Sequence, residues 1–346
     1  MKAAPVMQAL TAIGLNQALI HTGQHYDAVM SGQLFNQLGL QHPDINLNVG
    51  SATHAKQTAA VMIGLEAYLL ENRPSLLLVY GDVNSTAAAA LVAAKLQIPV
   101  GHVEAGLRSQ DRSMPEEINR IITDCLSTLL FTPSADADAN LLREGAASEA
   151  IHRVGNVMID SLVRCAPLAD ASRIFTDLAI SAADPYILVT LHRPSSVDDV
   201  VLLQALLGSL SELAKSVNVV FPVHPRTGAR IISNALNVGK VNLIEPVGYL
   251  EFLALERDAR LVITDSGGVQ EETTFFGVPC LTVRDNTERP VTISHGTNQL
   301  IGRDPERLLA AATASLNAVS KPKQRPDLWD GHAAERIAAV VGSSLR

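Results

Sequence analysis

Short apolar runs alternate with helical patterns along this chain, and no hairpin signal joins one apolar run to the next. SLLLVYGD reads as a buried strand over Leu76–Tyr80, ended by Gly81 and Asp82. STAAAALVAAKLQ follows as a helix capped by Ser85 or Thr86, and IPVGHVEAG is the next strand with its loop. MPEEINRIITDCLSTLL is again helical, with Pro115 near its first position and Glu116 and Glu117 in its first turn. Strands separated by helices need crossover connections, and crossovers build parallel sheets. After about residue 165 a polar, Ala-rich stretch intervenes, and the pattern restarts at YILVTLHRPSS, with a helix expected over Val197–Ala214. The expected architecture is α/β, with two doubly wound, Rossmann-like domains facing a cleft. Residues 1–165 form the first domain, 166–330 the second, and a final helix in 331–346 completes the first.

The 346 residues suffice for two domains, and 47% hydrophobic content with a mean hydropathy of +0.18 allows sizeable cores. The net charge of −8, with no Lys/Arg-rich run, argues against nucleic acid or an anionic membrane as partner. Cys125, Cys165 and Cys280 are too dispersed for a disulfide framework or a zinc site, so no metal or cofactor is expected. No apolar run approaches about 20 residues and the first residues do not read as a signal peptide, so a cytoplasmic location is expected. The opening MKAAPVMQALTAIG is helical in pattern where a doubly wound domain normally opens with a strand. A first strand and its loop are therefore expected to be missing.

Ligands of parallel sheets bind beyond the carboxyl ends of the strands, and nearly every strand here ends in ionisable residues. The bland readings make Asp82 an Asx-turn residue, Asp265 a helix N-cap, and His21, His25 and His102 satisfied histidines. At least one of Glu116 and Glu117 need only complement a helix dipole. Glu104 is harder to dismiss, because it ends a buried strand where an unpaired carboxylate is costly; Arg108, four residues on, could pair with it. The most specific signal is TDSGGVQEE. Gly267 and Gly268 open a helix N-terminus to the close approach of a diphosphate, and Glu272 lies about one turn in, placed to accept from ribose hydroxyls. Arg284 and Arg289 could balance the anion's charge.

GDVNSTAAAALVAAKLQIPVGHVEAGLRS, MPEEINR, TLHRPSS, FPVHPRTG, TDSGGVQEE, GVPCLTVRDNTERP and GHAAERI together resemble the non-hydrolysing UDP-N-acetylglucosamine 2-epimerases, in order and through almost the whole chain. The resemblance implies a glycosyltransferase-B type fold, a homodimer and a cell-envelope polysaccharide role. It implies Asp82, Glu104 and Glu116 as acid/base carboxylates and His192 as a cleft histidine. For the UDP-sugar it implies Ser266, Gly267 and Gly268 at phosphate, Glu272 at ribose, Phe252 by the uracil, and Arg289 and Lys2 on the ligand, with Arg193 and His224 in the neighbouring LHR and VHPR motifs. Gln24 and His25 fit part of the pattern by which some members bind an allosteric nucleotide sugar. The chain departs from the family in lacking the Gly-Thr-Arg-Pro-type loop and in carrying Val247 where Gln is frequent.

The reaction so implied inverts C2 of UDP-N-acetylglucosamine to give UDP-N-acetylmannosamine, through elimination of UDP to a 2-acetamidoglucal and re-addition. TGQHYDAVMS also resembles a subgroup acting on UDP-2,3-diacetamido uronic acids. An inverting UDP-sugar glycosyltransferase of the same fold is the other alternative.

Overall fold

The structure is a computed structural model that describes residues 1–23, 42–181, 184–318 and 325–345. The chain divides into two compact units, Met1–Ser161 with Asp327–Arg346, and Leu162–Pro326.

The first unit holds a four-stranded parallel sheet of β3 (Leu77–Tyr80), β4 (Val100–Val103), β5 (Leu129–Thr132) and β6 (Ile151–Arg153), in that order. β1 (Ile20–His21) and β2 (Ile45–Asn46) make a separate parallel pair. The first described element is the helix Ala3–Ala12, and it packs against the last, Ala333–Ser344, over a core that includes Val6, Leu10, Val103, Phe131, Ile337 and Val341. The last helix has no side-chain cap of its own. Asp160 supplies one from a distance: its carboxylate accepts the backbone N–H groups of Ala333 and Ala334 at 3.1 and 2.7 Å. Trp329, buried, donates its indole N–H to the Pro133 carbonyl at 3.0 Å.

The helix after β3 begins at Asn84, with Val83 in the cap position, not at Ser85 or Thr86. Asn84 is buried, its amide bonded to Gln57 at 2.8 Å and to His54 at 3.0 Å, and this anchors the first turn a residue earlier than a hydroxyl cap would.

The second unit is a six-stranded parallel sheet in the order β12-β11-β10-β7-β8-β9, with β7 Tyr186–Thr190, β8 Asn218–Pro222, β9 Asn242–Ile244, β10 Leu261–Thr264, β11 Cys280–Thr282 and β12 Asn298–Leu300. Counted from β7, this is the Rossmann order 6-5-4-1-2-3, whose switch point lies between β7 and β10. Both central strands read as continuous apolar runs, YILVT and LVIT, because both faces of the sheet are covered. The helix expected over Val197–Ala214 is two pieces, a turn at Pro194–Val197 and a helix at Val200–Leu213. Asp199 breaks the run: its side chain caps Val201 and Leu202, and a new helix starts there.

β1 and β3 border a cavity of about 970 Å³ in the first unit, lined by Ile20, Leu47, Leu78, Tyr80 and Val83 among others. β3 bonds to β4 through the amides of Leu77 and Gly81, so the alternate amides, Leu78 and Tyr80, point the other way. Hydrogen exchange should therefore be at least tenfold faster at Leu78 and Tyr80 than at Val79, measured by NMR on the native protein; equal protection along β3 would contradict the edge position.

Candidate active site

In the first unit the site is built at the carboxyl ends of β3 and β4. Gly81 follows β3 with φ +66°, and an added Cβ there would lie 2.7 Å from the Lys2 ammonium and 3.6 Å from Glu104. That close approach is what the glycine permits. Lys2 forms an ion pair with Glu104, which is 7% exposed and sits in the left-handed region at φ +77°. A non-glycine residue held there is strained by roughly 1–3 kcal/mol and aims its side chain where an extended strand would not.

Arg108 does not pair with Glu104. It binds Asp124 at 2.8 Å and Glu144 at 2.6 Å. The backbone turns sharply at Glu104 and at Gly106, φ +80°, so a spacing of four residues does not put the two side chains on one face. Asp124 also accepts the Gly106 N–H at 3.1 Å and contacts His102 Nδ1 at 2.6 Å, while His102 Nε2 meets the Gly81 carbonyl at 2.8 Å. Burial raises the Asp124 carboxyl, but the charges and hydrogen bonds of His102 and Arg108 outweigh it and hold the group below its ordinary range. His102 thus braces the β3 turn from beneath.

Asp82 points its carboxylate at Arg120, which is fully buried and also binds Glu117 at 2.6 Å. Glu117 accepts the N–H groups of Ser109 and Gln110, each at 2.9 Å. Burial raises the Glu117 carboxyl, yet the Ser109 hydrogen bond and Arg120 bring it below the ordinary value. The PEE pair thereby splits. Glu117 is a buried brace for the loop before it, and Glu116 is half-buried with no hydrogen bond or ion pair among the described residues. Neither Arg120 nor Asp124 was singled out from the sequence, although Arg120 stands three residues after Glu117 on one helix face.

In the second unit the site forms at the switch point. Asp265 does not cap the helix Gly267–Phe276; Ser266 holds the cap position, without a side-chain bond. Fully buried, Asp265 instead accepts the backbone N–H groups of His192 at 3.0 Å and Arg193 at 2.9 Å and contacts His192 Nδ1 at 3.0 Å. Burial raises its carboxyl; His192 and the two backbone donors overcome that and lower it. The His192 and His224 rings lie 5.6 Å apart. His224, exposed, accepts the Arg226 N–H at 3.2 Å, and partial burial together with the charge of His192 lowers its pKa.

At the helix end, a Cβ on Gly267 would meet Arg289 at 2.6 Å and Glu288 at 2.9 Å, whereas one on Gly268 would meet nothing within 4 Å. One glycine admits an arginine and the next leaves open space over a helix N-terminus, a setting that suits an anion. Arg289 binds Glu271 at 2.6 Å and Glu288 at 2.5 Å. Glu288 also binds Arg284 at 2.8 Å and lies 3.9 Å from Arg193. Burial raises its carboxyl, but the guanidinium charges of Arg289 and Arg284 hold it well below the usual carboxylate range. The three polar residues of VQEE thus diverge. Gln270 accepts from Thr287 at 2.7 Å and Asn298 at 3.1 Å, Glu271 holds Arg289, and Glu272 accepts the Tyr249 hydroxyl at 2.8 Å. Phe252 is half-buried one turn after Tyr249, and Val247 lies just before that helix. Gln24 and His25 lie outside the described residues. Among the described residues no group of three His, Cys, Asp or Glu is placed to hold a metal ion, and no helix is long and apolar enough to cross a membrane.

A family model described as UDP-N-acetylglucosamine 2-epimerase matches residues 8–342. The chain belongs to this family. A curated UDP-N-acetylglucosamine 2-epimerase of Methanocaldococcus jannaschii is 42% identical over 351 residues, covering 98% of this chain and 95% of its own. A UDP-2,3-diacetamido-2,3-dideoxy-D-glucuronate 2-epimerase of Pseudomonas aeruginosa is 44% identical over 330 residues, covering 94% and 91%. The crystal structure of the Methanocaldococcus jannaschii UDP-GlcNAc 2-epimerase in complex with UDP-GlcNAc and UDP superposes with a TM-score of 0.91 at 42% identity, over 99% of this chain and 96% of that one. The fold is accordingly that of the family's glycosyltransferase-B type members, with two Rossmann-like domains.

Because Asp265 is ionised and fully engaged in the fold, Asp265→Asn should lower unfolding stability by about 2–3 kcal/mol at pH 7. A carboxyl depressed in the folded state contributes stability above its unfolded pKa, near 4, and loses it as pH falls through the lower folded value. The gap between wild type and variant in urea titrations should therefore narrow below about pH 4; a gap independent of pH would refute the assignment.

Proposed function

We propose that this chain is an isomerase that interconverts UDP-N-acetylglucosamine and UDP-N-acetylmannosamine by eliminating UDP and adding it back. The reading is supported most by one combination: an open, glycine-lined helix end beside Arg289 and Glu272 in a chain whose family relative carries UDP-GlcNAc and UDP in its crystal structure. The diphosphate sits on the N–H groups at Gly267 and Gly268, with Arg289, Arg193 and His192 around it, and the ribose hydroxyls donate to Glu272. Phe252 faces the uracil.

The C2 hydrogen of the hexosamine has no adjacent carbonyl, so its removal requires a concerted outlet for the electrons. A carboxylate of the first unit takes the C2 proton, the electron pair forms the C1–C2 double bond, and the C1–O bond breaks with UDP as the leaving group. In the return direction the UDP oxygen attacks C1 while a carboxylic acid protonates C2 from the opposite face. Proton transfer on two faces calls for more than one acid/base group, which Asp82, Glu104 and Glu116 provide. Charge accumulating on the leaving diphosphate is met by preorganised N–H groups and Arg289. Lys2 is the ion-pair partner of Glu104, and Arg120 that of Asp82.

A second reading, epimerisation at C2 of a UDP-2,3-diacetamido uronic acid, is favoured by the 44% identity to the Pseudomonas aeruginosa enzyme. Proton NMR in D2O with each UDP-sugar in turn decides between them: the true substrate yields its C2 epimer with deuterium at C2. Retention of C2–H in both, with no epimer formed, would exclude epimerase chemistry.

Asp82→Asn, Glu104→Gln and Glu116→Gln should each lower turnover at least about 100-fold, as loss of a general acid or base does. Glu117→Gln should instead appear chiefly as a loss of roughly 1–3 kcal/mol in thermal or urea unfolding, since it weakens the buried brace on Arg120. Near-wild-type turnover in all three of the first set would remove this mechanism.

A further inference from the structure

Behind Glu272 stands a carboxyl group that the reaction above does not use. Glu256, in the helix Tyr249–Asp258, is fully buried, and neither of its oxygens meets a hydrogen-bond donor. Its polar neighbour is Glu272, which is 4% exposed and takes the Tyr249 hydroxyl at 2.8 Å. Among the described residues the other titratable groups that act on the pair are Tyr249, Glu271, Cys165 and Cys280, none of them basic; the cations stand one group further out, Arg289 on Glu271 and Arg164 by Cys165. Two ionised carboxylates without a cation cannot share so dry a site. A carboxyl that lacks donors is satisfied if it is protonated, because it then becomes the donor.

We infer that Glu256 is a positioning residue that keeps its proton, donates it in a hydrogen bond to Glu272, and so fixes the Glu272 carboxylate for the ribose and couples ligand binding to proton release. This rests on the ribose reading of Glu272 given above. Burial and the charge of Glu272 hold the Glu256 carboxyl well above its ordinary value, and burial pushes Glu272 up to about 7 despite the hydrogen bonds from Tyr249 and Glu256. Ribose hydroxyls donate to an ionised carboxylate, so any proton on Glu272 must leave when the ligand binds. The ionised fraction of a group titrating near 7 rises from about a tenth at pH 6 to about nine tenths at pH 8, and affinity follows it.

Isothermal titration of UDP-GlcNAc into the intact chain at pH 6, 7 and 8, in two buffers of different ionisation heat, tests this. UDP-GlcNAc itself has no group titrating in that range. The dissociation constant should fall about tenfold from pH 6 to pH 8, with close to one proton released per site at pH 6 and almost none at pH 8. Glu256→Gln, which retains a donor, should bind within about threefold of wild type at pH 7. Glu256→Leu, which removes it, should bind about tenfold more weakly, with the pH midpoint moved upward. As a readout independent of the leucine variant's folding, the infrared band of a protonated buried carboxyl, recorded at about pH 9 where Glu272 is ionised, should be present in wild type and absent in Glu256→Gln. A pH-independent affinity in wild type, or an infrared spectrum unchanged by Glu256→Gln, overturns the inference and leaves the substrate assignment standing. Absence of UDP-GlcNAc binding at every pH overturns both.

Discussion

Asp265 has no solvent exposure, and the end of the six-stranded sheet is organised around its carboxylate. At the switch point the chains leaving β7 and β10 diverge to opposite sides, and backbone donors there have no strand neighbour to bond. Asp265 takes the His192 and Arg193 N–H groups from the β7 side while standing at the end of β10 itself. From that anchor the side chains fan outward: the His192 ring lies against His224, and Arg193 reaches toward Glu288, which in turn holds Arg284 and Arg289. A buried charge is costly unless it is saturated with donors, and here saturation is what lines up the basic residues at the glycine-opened helix end.

The first unit solves a comparable problem with shared cations. Asp82 and Glu117 divide Arg120, Glu104 takes Lys2, and Asp124 engages both Arg108 and His102. Each of these carboxylates thus has a cationic or histidine partner, whereas Glu116 has no ion pair among the described residues. The arrangement gives each of several acids close together a cationic partner, so that their mutual repulsion is offset.

Much of this was legible in the residues. Alternating apolar runs and helical patterns give two parallel sheets, since the strands lie too far apart in sequence for hairpins, and continuous runs such as YILVT mark strands covered on both faces. The glycine pair and the acids at strand ends were readable because position relative to a strand end is a local property. Partnership was not. Arg108 looked like the companion of Glu104, and only the left-handed backbone at Glu104 sends them apart. Asp265 looked like a cap because nothing in TDSGG says that its carboxylate turns toward the end of another strand, to His192, 73 residues earlier. Asp199, similarly, splits a run of apolar residues that is continuous in pattern. Glu256 carried no signal at all, since a glutamate in LERDA reads as a solvated helix face until the fold buries it.

In sequence, the segment Leu162–Pro326 interrupts the other unit, whose last helix, Ala333–Ser344, follows it. During synthesis the apolar face of the helix Ala3–Ala12, together with Val103 and Phe131, therefore waits for its cover while the inserted 165 residues are made. At typical elongation rates that delay is on the order of ten seconds or more. The early half leaves the ribosome as an unsealed intermediate, and the inserted half can complete its own fold before the first does. A nonsense codon just before Ala333 would for the same reason not trim a dispensable tail: it would leave the earliest-made core permanently open to water and to aggregation.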